Sequence, residues 1–196
     1  MFTGIIKRIS KVANVSEKKG SIFISIFIPR GWKVKNGDSI SINGVCSTIQ
    51  KTGKKIFEVE YMPETINKTT VGFFKKCTEI NLEKSLAMSD LLDGHIVQGH
   101  IDTRGKIVGI KKARESKIIK IKIPVKFMKF VAKKGSVSVD GISLTVVDAG
   151  KDWFSVSLVS YTLKNTNLGN MKLGENVNIE TDILAKYLDK LLKSKK

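Results

Sequence analysis

Gly135-Ser136-Val137-Ser138-Val139-Asp140-Gly141-Ile142-Ser143-Leu144-Thr145-Val146-Val147-Asp148 alternates small polar and β-branched residues around Asp140-Gly141. The alternation predicts two strands. The Asp-Gly pair tolerates positive φ and predicts a sharp turn between them. A second copy, residues 38–49, lies 97 positions earlier and keeps Ser39/Ser136, Ser41/Ser138, Gly44/Gly141 and Thr48/Thr145. The same offset relates Thr65/Thr162, Gly72/Gly169, Asn81/Asn178 and Glu83/Glu180, whereas Gly4 and Gly99 are 95 apart. A constant offset over so many positions predicts a tandem duplication of one β-unit, with a two-residue indel near the start.

Working outward, each unit reads as six short strands. In the first copy they cover 2–9, 21–28, the two halves of 38–49, 56–61 and 77–82. The order repeats from 97–109 to 175–180. Pro63 and Tyr161 open short helical segments, and Trp32 is expected as a buried anchor. Short strands with closely spaced turns indicate a small sandwich or barrel, and closure would remove edges that could pair with other chains. The end differs. Asp182 is an N-cap residue, and Ile183, Leu184, Tyr187, Leu188, Leu191 and Leu192 form one apolar helical stripe without a counterpart in the first unit. That stripe packs either on its own barrel or against copies of the chain.

The 196 residues contain 41% hydrophobic side chains and no apolar run long enough for a membrane span. The first residues lack the order of a signal peptide. Two cysteines, Cys46 and Cys77, make no disulfide framework, which points to a reducing cytoplasm. The net charge of +17 raises the question of nucleic acid. The excess is almost all lysine, scattered over turns and the C-terminal tail. Only Arg8, Arg30, Arg104 and Arg114 supply guanidinium groups, and no basic and aromatic interleaving is present. A solvated lysine-rich surface is the reading, with no specific nucleic-acid partner.

Chemistry is sought where the copies differ. His100 stands where the first unit has Ile5, so one unit carries a proton-transfer group where the other carries a hydrophobe. His95, five positions earlier, reads as a structural histidine. With Asp102 these two histidines make an incomplete metal-ligand set, so no metal is expected. Cys46 stands against Ser143, and each precedes a threonine (Thr48, Thr145) by two positions. Residues two apart share a strand face. That face either offers hydroxyls to a flat ring or merely fits a tight barrel interior. No nucleophile-elbow sequence supports a Ser-His-acid hydrolase.

Four ordered motifs then carry a resemblance: Met1-Phe2-Thr3-Gly4-Ile5, Asn43-Gly44-x-Cys46-x-Thr48, Gly94-His95-x-Val97-x-Gly99-His100-x-Asp102, and Asp140-Gly141-Ile142-Ser143-Leu144-Thr145-Val146. Together they resemble the riboflavin synthase α-chain family over residues 1–192. The resemblance implies an all-β fold of two similar six-stranded Greek-key barrels in tandem plus a C-terminal α-helix. It implies lumazine-binding barrels over 1–90 and 91–182, and an oligomerisation helix over 183–196. Family members form homotrimers with sites between subunits and need no cofactor or metal. Each barrel binds 6,7-dimethyl-8-ribityllumazine, and two such molecules are converted to riboflavin and 5-amino-6-ribitylamino-2,4-pyrimidinedione. The resemblance assigns catalytic roles to His100, Cys46, Ser143, Thr145 and Asp182. It assigns substrate contacts to Phe2, Thr3, Gly4, Ser39, Thr48, Thr65, Gly99, Lys134 and Thr162. The chain departs from the pattern at Ser47, where the family usually has leucine and looser packing is expected, and at Ser160-Tyr161. A non-catalytic lumazine-binding protein of the same fold is the alternative.

Overall fold

The duplicated alternation closes into two barrels. The computed structural model describes residues 1–113 and 115–194; Arg114 and the last two residues of the 183–196 segment lie outside the described residues. The first barrel is built from β1 (Arg8–Lys18), β2 (Ser21–Phe27), β3 (Ser39–Ile42), β4 (Val45–Thr52), β5 (Ile56–Tyr61) and, after α1 (Pro63–Lys68), β6 (Glu79–Lys84). The second is built from β7 (Thr103–Ala113), β8 (Ser116–Lys122), β9 (Ser136–Val139), β10 (Ile142–Ala149), β11 (Trp153–Leu158) and β12 (Asn176–Thr181). Within it lie α2 (Val125–Met128) and α3 (Ser160–Asn165), and α4 (Ile183–Lys193) follows it. Strands of the first close in the order β1-β2-β5-β4-β3-β6, and the second repeats the order as β7-β8-β11-β10-β9-β12. Bulges recur at matching places: Val12/Asn14 with Ile107/Gly109, and Ile49/Lys51 with Val146/Asp148. A bulge bends and twists a strand, which a barrel this small needs to close.

Each barrel has its own core. Ile24, Ile26, Phe57, Val59, Ile80 and Leu82 fill the first, and Ile119, Ile121, Phe154, Val156, Val177 and Ile179 the second. Each such side chain, fully buried, stabilises by about 1.5–3 kcal/mol. Trp32 is only half-buried, lying against the first core with the Lys84 ammonium 5.7 Å from its ring. The looser packing expected at Ser47 is not found. Its hydroxyl is buried and lies 2.6 Å from that of Tyr61.

The first strand was expected over 2–9 but begins at Arg8. Residues ahead of it leave their own barrel. Gly4, at φ 78°, turns the chain so that its carbonyl accepts from Ser143 N of the other barrel at 2.8 Å. Gly99, at φ 80°, does the same with Cys46 N at 2.9 Å. The two leading segments also pair with each other, Phe2 against Val97. A buried carboxylate holds each one. Glu83 accepts from Thr3 N (2.8 Å), Thr3 Oγ1 (2.7 Å) and Gly4 N (3.0 Å), and Glu180 from Gln98 N (2.7 Å) and Gly99 N (2.9 Å). Burial pushes both carboxyls above the usual range, and these backbone donors work against that rise.

The Asn43-Gly44 and Asp140-Gly141 turns meet where the barrels touch. Asn43 and Asp140 sit at φ 45° and 46°, with the glycines at 81° and 80°, the left-handed pair that a tight hairpin needs. A Cβ on Gly44 would lie 2.6 Å from Gly141 N, and one on Gly141 2.7 Å from Gly44 N. Around this contact the partners interlock. Asn178 Nδ2 donates to the Asn43 carbonyl (2.8 Å), and Asn81 Nδ2 to the Asp140 carbonyl (3.0 Å).

Candidate functional site

Because Gly99 docks on Cys46, a groove opens between the first barrel and the leading segment of the second. It measures about 300 Å³ and is lined by Val45, Cys46, Glu64, Thr65, Lys68, Thr69, Gly99, His100 and Ile101. Strand alternation places its side chains. Ser47 and Ile49 point into the core, so Cys46 and Thr48 face outward; the tight barrel interior is therefore not the explanation for these small residues. Ser39, opposite Thr48 in the β3–β4 ladder, belongs to the same face as Cys46. Thr65 comes from α1, whose proline occupies the first turn. Burial raises the Cys46 thiol above its ordinary value, so at neutral pH it is a neutral thiol and not a thiolate. His100 is exposed, in reach of whatever fills the groove.

The second barrel repeats the construction with Gly4 docked on Ser143, and fills it differently. Ser143 and Thr145 face outward as Cys46 and Thr48 do. Thr162 takes the place of Thr65, on α3. His95 Nδ1 lies 2.7 Å from Ser143 Oγ. Burial lowers the affinity of this imidazole for a proton, and the nearby Asp182 carboxylate raises it, with burial the larger effect. A neutral imidazole against a serine hydroxyl can accept its proton, an arrangement that activates an oxygen for addition. Asp182 Oδ1 also accepts from Leu184 N at 3.0 Å, capping α4 as its sequence position indicated. Lys134 adopts φ 69° where the first unit has Gly37 at φ 86°. A left-handed lysine costs about 1–2 kcal/mol, and this one stands two residues before Ser136, the ladder partner of Thr145.

Sequence reasoning thus brought Cys46, Thr65, Gly99 and His100 to one groove, with Ser39 and Thr48 on the adjoining face. It brought Gly4, Ser143 and Asp182 together around His95 on the second barrel, with Thr145 and Lys134 along the same ladder and Thr162 matching Thr65. Phe2 and Thr3 are enclosed, and what they show is a grip on the leading segments. Missed were His95, read as structural, and the Glu83/Glu180 pair, noted only as a repeat match. The flanking Gly94, which parallels Gly99 before His100, was the available signal for His95. Asp102 is committed elsewhere: it accepts from Thr181 N and Oγ1 at 2.8 Å each and pairs with Lys186 at 2.8 Å. Among the described residues no group of three histidine, cysteine or carboxylate side chains is placed to hold a metal ion, and no helix is long and apolar enough to cross a membrane.

Comparison with known proteins meets this geometry. The family model for the lumazine binding domain matches twice, over residues 3–85 and 98–182, one match per barrel. Along nearly the whole chain it is 40% identical to the riboflavin synthase of Actinobacillus pleuropneumoniae (100% of this chain, 91% of the relative). It is 38% identical to that of Mycobacterium bovis (99% of each) and 32% to that of Bacillus subtilis (98% and 90%). Among solved structures, LumP complexed with 6,7-dimethyl-8-(1'-D-ribityl) lumazine superposes with a TM-score of 0.84 at 22% identity, covering 92% of this chain and 99% of LumP. LumP complexed with riboflavin superposes at 0.86 over the same shares. That likeness concerns the fold. Two lumazine-binding units in tandem define the class, and the chain belongs to the riboflavin synthase family within it.

Proposed function

We infer that this chain is an enzyme converting two molecules of 6,7-dimethyl-8-ribityllumazine into riboflavin and 5-amino-6-ribitylamino-2,4-pyrimidinedione, a four-carbon unit passing from one to the other. The observation that carries the reading is one construction used twice with unequal side chains: a groove with Cys46 and His100 on the first barrel, and Ser143, His95 and Asp182 grouped at the matching place on the second. Two identical substrates supply every atom of both products. The protein is therefore asked for position and for proton handling, and holding the two rings in register removes much of the entropic cost of their encounter. Thr48, Thr65, Thr145 and Thr162, with Ser39, would bond the ring edges and ribityl chains. Cys46 acts as a neutral hydrogen-bonding group, His100 carries a proton between a ring methyl and water, and the Ser143–His95 pair supplies or activates the nucleophile that adds to the second ring. Lys134 and Asp182 orient charge at that ring, and the leading segments, anchored by the enclosed Phe2 and Thr3, present Gly4 and Gly99 beside each ring.

Residues 1–90 and 91–182 are the two ligand-binding units and 183–196 the assembly segment. The stripe of α4 supports this, since Leu184, Tyr187, Leu188, Leu191 and Leu192 are all exposed on the single chain. Assembly is proposed as a homotrimer in which the first-barrel groove of one copy faces the second-barrel groove of its neighbour. The free cysteines fit a reducing cytoplasm. The test is incubation of the purified chain with the lumazine while riboflavin absorbance is followed. Growth of the flavin band is expected; tight binding without turnover would transfer the chain to the non-catalytic alternative.

A further inference from the structure

The two barrel interiors differ at one cross-strand pair that lies directly behind a groove. Continuing the Ile49↔Val59 register by two residues sets Ser47 opposite Tyr61, and continuing Val146↔Val156 sets Leu144 opposite Leu158. The second barrel thus closes this position with two aliphatic side chains, both buried, where the first uses two hydroxyls. Their hydrogens can be assigned. Ser47 Oγ lies 3.0 Å from the Val45 carbonyl, which only accepts, and 2.6 Å from Tyr61 Oη. Serine has one proton, so all three groups are satisfied only when Tyr61 donates to Ser47 and Ser47 donates to Val45. Burial pushes the Tyr61 phenol well above its ordinary value and keeps it a donor at any physiological pH.

The relay joins the two walls of the groove from inside. Val45 and Cys46 line one wall, and Glu64, Thr65 and Lys68 of α1 line the other. Tyr61 is the last residue of β5, two positions before Pro63 opens α1. We propose that Tyr61 is a positioning residue of the first-barrel groove. Through Ser47 it sets the spacing between β4, which carries Cys46, and α1, which carries Thr65, so that this groove holds its flavin or lumazine ring differently from the Leu144/Leu158-backed face of the second barrel. This rests on the reading of both barrels as ligand-binding units. A hydrogen-bond chain fixes distance and direction together, whereas an aliphatic contact slides at little cost.

Titration of the full chain with riboflavin, followed by flavin fluorescence, tests it. Wild type is expected to show two classes of site. Tyr61→Phe keeps the volume and removes only the donor. It should weaken one class about fivefold, the worth of one hydrogen bond, and leave the other unchanged. The double variant Ser47→Leu/Tyr61→Leu, which copies the second barrel, should recover most of the lost affinity. A folded Tyr61→Phe with both affinities unchanged, whatever its melting temperature, would overturn the proposal. So would a double variant no tighter than Tyr61→Phe, and this second arm still decides if the single variant folds poorly. Wild type that binds no riboflavin at all would instead bring down the ligand-site reading on which the proposal stands.

Discussion

His100 and Ser143 are where two copies of one design part company. At matching positions the chain has Ile5 and Cys46, so a titratable side chain and a hydroxyl mark opposite barrels. Replacing His100 by alanine is expected to lower turnover on the order of 10²-fold, the usual scale for a positioned proton carrier. Riboflavin binding should persist, because the groove wall is held by the Gly99–Cys46 backbone bond and not by the imidazole. Single-turnover kinetics beside a binding titration separates the two, and unchanged turnover would remove the proton role. His100 was legible in the sequence because it breaks the repeat. His95 was not, because the first copy offers no aligned partner to contrast it with, and only the fold brings it across 48 positions to Ser143.

Elements repeat the lesson at larger size. The ladders β4, β5, β8 and β10 follow the alternation because one face meets a core and the other is more open to water. The leading segments do not. Residues 2–9 have a strand-like composition, yet Gly4 and Glu83 commit the first of them to the opposite barrel. That partner is 139 positions away in the chain, beyond the reach of any local pattern. The helix α4 was legible, cap and stripe alike, while its covering was not. Two of its charges dock it on the second barrel, Lys186 to Asp102 and Asp189 to Lys129 at 2.6 Å, leaving the leucines outward. The paired substitutions Leu188→Glu and Leu191→Glu should therefore leave circular dichroism unchanged, reduce the sedimenting mass to a single chain, and lower turnover at least about tenfold by separating facing grooves. An assembled, active double variant would refute the assembly role of the stripe.

Across the whole molecule, the contact between the barrels carries a pH signature. Asp140 is fully buried, and burial lifts its carboxyl to about 7 against the donors Asn178 N and Asn167 Nδ2, each of which it accepts. Between its ordinary value and about 7 the folded chain keeps a proton that the unfolded chain has released. Stability therefore falls as pH rises through that window and levels off above it. At about 1.4 kcal/mol per unit the effect is on the order of a few kcal/mol. In Asp140→Asn the fall between pH 5 and 8 should flatten, leaving the smaller slope of the same sign from Glu83 and Glu180. Asn43 shows that an amide serves there, since its Oδ1 accepts from Asn81 N at 2.7 Å just as Asp140 accepts from Asn178 N. Denaturant titrations at several pH values check it; equal slopes in the two proteins would place the titration elsewhere. Nothing in the alternation around Asp140-Gly141 announced this, because the pattern marks a turn and is silent about what the turn touches.

What it touches is its own duplicate. With Gly44 and Gly141 each refusing a side chain on the other, the halves of this chain are not free to drift apart at that point. A change in one copy must be answered by the other. The first-barrel groove begins one residue from that contact, at Val45, and draws Cys46 from one half and His100 from the other. The duplicated units are thus bound twice over, once by the turns that touch and once by a cleft that neither half could build alone.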